Sequence, residues 1–313
     1  MNRRNLLIRL GLVGAGLGGA LWLRDRVLWT SPRVGFGQTA WLPYATRRAL
    51  TPTVMATVAG RPVRALIDSG AQFSAIDRKL FDTLGAPPAF DIPIVAYGVG
   101  EQPQLGKGTT LAVTVGSTRI TDLRAAILDL GPLATEQGLG TPLILGQDML
   151  GQMLLDIDLK RRRIRLLDRA TPLPPGLAPV AVRRDGRGLG TTVMVEGTAL
   201  EAIVDTGASA LLALSRRTAE RVGLLDGRDQ RTGASIVLGG AIASTVVRSG
   251  SVAFGGRVYE DVETPIFATV ALPGFPDALI GMEAFADQRM IMDLGGGKLN
   301  ASRPLDLTVG RAA

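Results

Sequence analysis

Apolar and polar positions alternate along two well-separated stretches of this chain. Residues 53–58 read Thr-Val-Met-Ala-Thr-Val, and residues 192–195 read Thr-Val-Met-Val. Such alternation is typical of β-strands with one buried face. Each stretch leads into a short apolar run that ends at an aspartate, Asp68 in the first case and Asp205 in the second. The pattern therefore predicts a β protein in which one arrangement of strands occurs twice.

The two aspartates share their immediate surroundings. Each follows an apolar run and precedes a hydroxyl residue, a glycine and an alanine. A single Asp-Ser-Gly or Asp-Thr-Gly is often only a turn, because short polar side chains suit turns. Two copies in matching surroundings favour a shared role instead. The residues concerned are Asp68, Ser69 and Gly70 in the first copy, and Asp205, Thr206 and Gly207 in the second.

Two later landmarks repeat at nearly constant spacing. An apolar strand runs into Gly146, 78 residues after the first aspartate, and another runs into Gly281, 76 residues after the second. In both copies an aspartate follows the glycine after 12 residues, ahead of a predicted hairpin turn: Asp158 and Asp293. Such spacing indicates an internal duplication of a whole structural unit.

Each copy also carries the signals of a short helix. Asp77 precedes Arg-Lys-Leu-Phe-Asp-Thr-Leu and Gly85 follows it, while Ser215 precedes Arg-Arg-Thr-Ala-Glu-Arg-Val and Gly223 follows it. Asp and Ser are favoured helix N-caps, and glycine is favoured just beyond a helix. We therefore expect one short helix per copy, soon after its aspartate.

These patterns divide the chain into an amino-terminal segment and two lobes. A stretch with four prolines, Thr-Pro-Leu-Pro-Pro-Gly-Leu-Ala-Pro, separates the copies and predicts a semi-rigid linker. The predicted boundaries are 1–30 for a signal peptide or membrane anchor, 31–46 for a linker, 47–170 for the first lobe, 171–179 for the proline-rich linker and 180–309 for the second lobe.

The amino terminus is basic and then apolar. Arg3 and Arg4 precede a Gly-, Ala- and Leu-rich run over residues 10–23. That order is typical of an export signal or a membrane anchor, and the arginine pair resembles a twin-arginine signal. Gly18 and Ala20 suit cleavage by a signal peptidase, whereas continuation of the apolar run to Leu23 suits a retained anchor. Either reading predicts a periplasmic protein, or one anchored in the membrane and facing the periplasm.

Composition narrows the possible chemistry. The 313 residues include no His and no Cys, which excludes Ser-His-Asp triads, thiol nucleophiles and disulfides, and disfavours zinc sites. Catalysis would have to use carboxylates, hydroxyls, Lys or Arg, and we expect no metal and no cofactor. The formal charge of +7 comes mainly from Arg, but aromatic residues are not interleaved with it, so nucleic-acid binding is not expected.

The duplicated motifs resemble those of the retropepsin-like aspartic proteases, here as a bacterial single-chain form with two lobes. The matching features are the apolar run into Asp-Ser/Thr-Gly-Ala and the late apolar run into glycine, once per half. The resemblance implies a mainly β acid-protease fold. Its two lobes would be closed β-barrels related by a pseudo-twofold axis, each with a short helix.

The resemblance also implies roles for the repeated residues. Asp68 and Asp205 would form the catalytic dyad at the lobe interface. Ser69 and Thr206 would exchange hydroxyl-to-backbone hydrogen bonds across that interface. The glycines Gly70 and Gly207 would allow tight turns, and the strands that end at Gly146 and Gly281 would pack behind the acidic turns. Flaps over the cleft would come from two glycine-rich hairpins, with these candidate residues: Tyr97, Gly98, Gly100, Gly239 and Gly240.

Two carboxyl groups about 3 Å apart cannot both ionise cheaply, so one keeps a proton while the other activates water. The predicted function is thus an aspartic endopeptidase acting on protein or peptide substrates, complete within a monomer because both motifs lie in one chain. The alternative is a non-catalytic module of the cell envelope that binds a peptide or protein in the same cleft. A carboxylate-pair glycosidase ranks last, because its acids lie farther apart.

Other acidic and basic residues have simpler interpretations. Asp148 and Glu283, just after the late glycines, are expected to be structural hydrogen-bond acceptors. Asp158 and Asp293 are expected at strand ends before turns. The basic run 160–163 could dock on anionic lipid, but a solvated hairpin tip is the favoured interpretation.

Overall fold

The computed structural model describes residues 29–85, 87–96, 104–186, 188–237, 240–269 and 276–303. The described chain is mainly β. Its first strands are β1 (Arg33–Gly35), β2 (Leu42–Pro43), β3 (Thr53–Val58), β4 (Arg61–Ile67), β5 (Ser74–Asp77), β6 (Ala89–Ala96), β7 (Gln104–Val115), β8 (Thr118–Leu128), β9 (Leu143–Leu145), β10 (Met153–Asp158) and β11 (Arg163–Asp168). The later strands are β12 (Leu177–Pro179), β13 (Arg183–Asp185), β14 (Gly188–Val195), β15 (Thr198–Val204), β16 (Leu212–Ser215), β17 (Arg231–Val237), β18 (Gly240–Phe254), β19 (Arg257–Phe267), β20 (Ala278–Ile280), β21 (Arg289–Asp293) and β22 (Lys298–Ser302).

Each lobe contains a closed barrel of six strands. In the first lobe the hydrogen-bonded ring runs β3-β4-β9-β5-β8-β7 and returns to β3. In the second it runs β14-β15-β20-β16-β19-β18 and returns to β14. The order of strands along the two rings is the same, so the prediction of two equivalent closed barrels in a mainly β chain is confirmed.

The predicted alternation appears as burial. Val54, Ala56 and Val58 of β3 point into the core, whereas Met55 and Thr57 face outward. Strand β14 follows the same rule. Since side chains of a strand point to alternate faces, this pattern fixes which face of each hairpin closes its barrel.

A third sheet joins the lobes. Its order is β12-β22-β21-β10-β11-β2, and its central pair, β10 and β21, brings one strand from each lobe together in antiparallel register. Leu155 pairs with Met292 and Ile157 with Met290, on either side of a central pair formed by Asp156 and Ile291. Positions that correspond in the two copies therefore lie in the two paired strands and pair with each other in both directions, as a pseudo-twofold relation between the lobes requires.

The short helices form where their caps predict them. Helix α1 (Arg78–Asp82) begins after Asp77, whose side chain accepts from the Lys79 N–H. Helix α2 (Gln147–Leu150) lies between β9 and β10 in the chain. Helix α3 (Arg216–Arg221) begins after Ser215, whose hydroxyl accepts from the Thr218 N–H. Short 3-10 helices span Gly131–Ala134 and Met282–Phe285. The glycines beyond α1 and α3, Gly85 and Gly223, have φ of +74° and +70°, as glycines that end helices commonly do.

Three predicted segment boundaries need correction. Residues 31–46 are more than a linker: β1 pairs with β8, β2 pairs with β11, and Tyr44 is buried. Residues 177–179 of the proline-rich linker form β12 against β22. Trp29, assigned to the amino-terminal segment, is buried in the first lobe. Burial of Trp29 and Tyr44 and partial burial of Leu177 tie these segments to the lobes, which the composition of a linker did not reveal.

Candidate active site

The first acidic turn begins where β4 ends. Asp68 follows Ile67 directly, and its backbone N–H donates to the Leu145 carbonyl of β9 at 3.0 Å. Its Oδ1 accepts from the N–H groups of Gly70 (2.9 Å) and Ala71 (3.0 Å). The carboxyl group is thereby held in one orientation, and only 2% of the residue is exposed.

The second acidic turn repeats this arrangement at the end of β15. The Asp205 N–H donates to the Ile280 carbonyl of β20 at 2.9 Å, and its Oδ1 accepts from the Gly207 N–H at 2.7 Å. Asp205 is fully buried. The parallel pairings of β4 with β9 and of β15 with β20 therefore place the two carboxyl groups in equivalent positions.

The fold brings these two carboxyl groups together. The Asp68 and Asp205 carboxyl groups are direct neighbours, and each lies against the glycine of the other lobe's motif. Removal from water raises the pKa of Asp68 well above its ordinary value, and the neighbouring Asp205 carboxyl raises it further, against the lowering effect of the Ala71 and Gly70 N–H groups. Two carboxyl groups this close hold a proton between them over a wide pH range.

Both glycines of the motifs are needed for this approach. A methyl group on Gly70 would lie 2.6 Å from Asp205 Oδ2, and one on Gly207 would lie 2.7 Å from the Asp68 carboxyl carbon. Each lobe's glycine thus makes room for the other lobe's aspartate, so the requirement is steric and reciprocal.

Ser69 and Thr206 lock the two turns together. The Ser69 hydroxyl donates to the Val204 carbonyl at 3.1 Å and accepts from the Thr206 N–H at 2.9 Å. The Thr206 hydroxyl donates to the Ile67 carbonyl at 2.7 Å and accepts from the Ser69 N–H at 2.8 Å. These four bonds cross the interface in both directions between fully buried residues, in the arrangement that the family resemblance implies.

The late glycines lie directly behind the acidic turns. A methyl group on Gly146 would lie 2.7 Å from the Phe73 carbonyl carbon, and one on Gly281 would collide with the carbonyls of Ala208 and Ala210. The next residues bond to the same loops: the Gln147 N–H donates to Ala71 O at 2.8 Å, and the Met282 N–H to Ala208 O at 2.9 Å. These contacts fit the predicted supporting role.

One contact at the site was not predicted from the sequence. The Gln147 side chain is buried, and its Nε2 donates to the Ser69 carbonyl at 2.6 Å. The second lobe carries Met282 at the matching position, which has no comparable donor. The difference between Gln147 and Met282 was the signal that the sequence offered. A buried amide needs a polar partner, whereas the matching position of the other copy is apolar.

The acidic residues that were expected to be structural acceptors or to lie before turns are found in such places. Asp158 Oδ1 accepts from the Arg161 N–H, and Asp293 Oδ1 from the Gly296 N–H, at the turns after β10 and β21. Glu283 Oε2 accepts from the Leu211 N–H at 3.2 Å. Burial raises the pKa of Asp148, which accepts four hydrogen bonds in the first lobe.

The predicted flap residues fall mostly outside the described part of the chain. Tyr97, Gly98, Gly100 and Gly239 are not among the described residues. The hairpins that would carry them are present as β6 with β7 and β17 with β18, and Gly240 begins β18 opposite Val237. A hairpin therefore occupies the predicted place in each lobe, and its role as a flap stays a prediction.

The described residues contain neither a metal-binding cluster nor a helix that could span a membrane. No group of three or more acidic side chains in this part of the chain is arranged to hold a metal ion. In the same residues, no helix is both long enough and apolar enough to cross a bilayer. The predicted signal or anchor lies almost entirely in residues 1–28, outside the described residues.

Two equivalent closed barrels, each presenting one Asp-Ser/Thr-Gly turn at their junction, are the architecture of an acid protease. A family model described as "Aspartyl protease" matches residues 54–149 and 191–284, one stretch in each lobe. These stretches make up more than half of the chain, so the chain belongs to the aspartyl protease family.

Other comparisons found only distant similarity. No curated protein matched the chain. Among solved structures, it is similar to the aspartic proteinase from Irpex lacteus, with a TM-score of 0.48 and 13% identity over 87% of this chain and 99% of that one. It is also similar to Basic 7S globulin from soybean, with a TM-score of 0.46 and 12% identity over 84% of this chain and 94% of that one.

Proposed function

We propose that this protein is an aspartic endopeptidase that hydrolyses peptide bonds with water activated between Asp68 and Asp205. The observation that carries the proposal is the close approach of two buried carboxyl groups on equivalent turns of the two lobes. Membership of the aspartyl protease family supports the same class of reaction.

The pair supplies both an acid and a base. The ionised carboxylate takes a proton from water as the water oxygen attacks the peptide carbonyl carbon, and the protonated carboxyl donates to the carbonyl oxygen. The resulting tetrahedral diol then collapses with cleavage of the C–N bond: the carboxyl that took the water proton donates it to the leaving nitrogen, and the other, now ionised, takes a proton from a diol hydroxyl. The crossed bonds of Ser69 and Thr206 keep the carboxyl groups aligned during both steps, so alignment costs little when substrate binds.

The proposal is tested by replacing each aspartate in the purified full chain with its isostere, Asp68→Asn and Asp205→Asn. A reduced, alkylated, unfolded protein serves as substrate, and fragments are followed by mass spectrometry over a pH series. Asp82→Asn is the matched control, because Asp82 is exposed on α1. We expect cleavage by the wild type and the control, and loss of at least about a thousandfold in each dyad variant.

The same experiment decides between turnover and binding. A non-catalytic module would retain the unfolded substrate in stoichiometric amounts and release no fragments at any pH. Cleavage that survives both single replacements would refute the dyad assignment. Activity per molecule that stays constant on dilution to the monomer is expected as well, because one chain provides both turns; loss of activity with an intact fold would contradict it.

We also propose that the folded part works outside the cytoplasm, in the periplasm or facing it from the membrane. The support is the basic and then apolar sequence of residues 1–23. Fusion of these residues to a reporter that is active only after export tests the idea. Export is expected with the wild-type sequence and should fail when acidic residues interrupt the apolar run.

A further inference from the structure

Trp29 lies at the start of the described chain and is packed into the first lobe. Its ring centroid is 4.6 Å from that of Phe73, at a tilt of 53°, and only 7% of the residue is exposed. Its indole Nε1–H donates to Asp148 Oδ2 at 3.0 Å. A buried indole usually finds one such acceptor, and here the acceptor comes from a residue 119 positions away.

Asp148 connects this tryptophan to the loop behind the first acidic turn. Its Oδ1 accepts from the Ser74 N–H at 3.0 Å, from the Ser74 hydroxyl at 2.8 Å and from the Met149 N–H at 3.0 Å. Ser74 Oγ in turn accepts from the Gly146 N–H at 3.1 Å. With Trp29 on Oδ2, both carboxyl oxygens have donors, which a buried carboxylate requires.

The contacts continue from there to Asp68. Phe73, under the Trp29 ring, precedes Ser74 in the loop that begins at Ala71. The Ala71 N–H donates to Asp68 Oδ1 at 3.0 Å, and its carbonyl accepts from the Gln147 N–H at 2.8 Å. The loop from Ala71 to Ser74 is therefore fixed at both ends. Ala71 is held by the Gln147 N–H, and Ser74 is held by Asp148, which in turn bonds to Trp29.

The second lobe lacks the same device. Leu211 lies six residues after Asp205, as Ser74 lies six after Asp68, and it has no hydroxyl to offer. Glu283 takes the place of Asp148 and accepts from the Leu211 N–H. Trp29 is thus an addition to one lobe of a duplicated site. The stability of a lobe does not by itself account for this residue, because the barrel of the other lobe closes without a tryptophan.

We propose that Trp29 is a positioning residue for the Asp68 carboxyl, acting through Asp148 and the loop from Ala71 to Ser74. The proposal rests on the proposed function for its catalytic consequence. Trp29→Phe would keep the ring contact with Phe73 but remove the donor to Asp148, and Trp29→Ala would remove both. In Trp29→Ala the dyad would lose alignment while the substrate cleft between the lobes stays intact.

The test compares these variants with Trp41→Phe and Trp41→Ala in the full chain. Trp41 is the matched control because it stacks on Arg163 at 4.2 Å, in the sheet that joins the lobes, and not on a residue of the acidic turns. We expect kcat to fall about tenfold in Trp29→Ala, with an intermediate fall in Trp29→Phe, while KM stays within about twofold. The acid limb of the pH profile of kcat should also shift, because the environment of Asp68 changes.

A second measurement does not depend on turnover. Amide hydrogen exchange of residues 69–75 should accelerate about fivefold in Trp29→Ala, while exchange of β19 in the second lobe stays as in the wild type. Lower thermal stability with unchanged kcat, pH profile and local exchange would overturn the proposal. A wild type that cleaves nothing would refute the proposed function, whereas local exchange would still decide whether Trp29 orders the Asp68 turn.

Discussion

Asp156 and Ile291 face each other across the pseudo-twofold axis, as the central pair of the strands that join the lobes. The duplication thus places a carboxylate in one copy opposite an apolar side chain in the other. Asp156 is fully buried and is paired with Arg165 of its own lobe (2.5 Å) and with Arg289 of the other lobe (2.7 Å). The guanidinium carbons of Arg165 and Arg289 lie 4.2 and 5.4 Å from the centre of the Trp41 ring.

Neutralising Asp156 should therefore weaken the connection between the lobes. Asp156→Asn removes the only carboxylate shared by Arg165 and Arg289 among the described residues, and we expect it to lower the free energy of unfolding by about 3 kcal/mol. Urea denaturation gives that value. Glu136→Gln is the matched control, because its pair with Arg64 is solvent-exposed and should cost under about 1 kcal/mol. Equal effects of the two changes would contradict the assignment.

The contribution of the interface hydroxyls of Ser69 and Thr206 to stability and activity should be measurable separately from that of the aspartates. Thr206→Ala would leave the Ile67 carbonyl and the Ser69 N–H without their partner in a buried place, at a cost of about 1–3 kcal/mol in the free energy of unfolding. The dyad would also lose alignment, so kcat should fall at least about tenfold.

Thr206→Ser is the control for that change, because it keeps the hydroxyl and loses only a methyl group. It should retain most of the activity and stability. The double variant Ser69→Ala with Thr206→Ala should cost less than the sum of the single changes, since both remove parts of one network. A Thr206→Ala protein with wild-type kcat and stability would show that the crossed bonds are dispensable.

The duplicated parts of the molecule were predictable from sequence because each repeated signal has a local cause. The strand alternation, the helix caps at Asp77 and Ser215, and the paired Asp-Ser/Thr-Gly turns depend on neighbours within a few residues. Repetition at constant spacing then placed the two aspartates in equivalent positions. Closure of each barrel and the crossed bonds between Ser69 and Thr206 followed from that equivalence together with the family resemblance.

The unpredicted parts are those where the lobes differ. Trp29 bonds to a residue 119 positions away, and Arg289 to one 133 positions away, so no local pattern reports either contact. Strands β1 and β2 are two or three residues long and form at sheet edges, too short for periodicity to reveal. In the sequence, Asp156 is a polar position in an apolar strand. The strand register places Arg165 opposite it, and Arg289 reaches it from a position opposite Asp158.

The late glycines should tolerate no side chain, for steric reasons. Gly146 and Gly281 have φ of −99° and −104°, so conformation alone would accept alanine. The added methyl groups would instead meet backbone atoms of the loops behind the acidic turns, which cannot move without displacing the aspartates. We expect Gly146→Ala and Gly281→Ala each to lower the free energy of unfolding by about 1–3 kcal/mol and to reduce kcat.

Gly35→Ala is the control for the glycines, because a methyl group there would lie 3.9 Å from the nearest atom, the Arg119 carbonyl oxygen. Thermal unfolding and initial cleavage rates measure both effects. The prediction fails if Gly35→Ala is as harmful as the other two.

Asp68 should make the protein less stable at neutral pH, as a buried carboxyl with a raised pKa does. Its pKa is higher in the native state than in the unfolded chain, so the native state binds more protons. That contribution to stability is complete below the ordinary aspartate pKa of about 4 and is lost as the pH rises through the native pKa. Asp68→Asn removes the titration, while the amide oxygen can still accept from the Gly70 and Ala71 N–H groups. The variant should therefore exceed the wild type in free energy of unfolding by about 1–3 kcal/mol at pH 7.

The pH dependence of this difference is the decisive measurement. Urea denaturation between pH 4 and 8 should show the gain of Asp68→Asn shrinking as the pH falls towards 4, because the carboxyl of the unfolded wild-type chain then takes up protons as well. Asp82→Asn, on the exposed face of α1, should show no such trend. A gain that stays constant or grows in acid would mean that Asp68 is ionised in the native state at neutral pH at no cost, which its burial beside Asp205 does not allow.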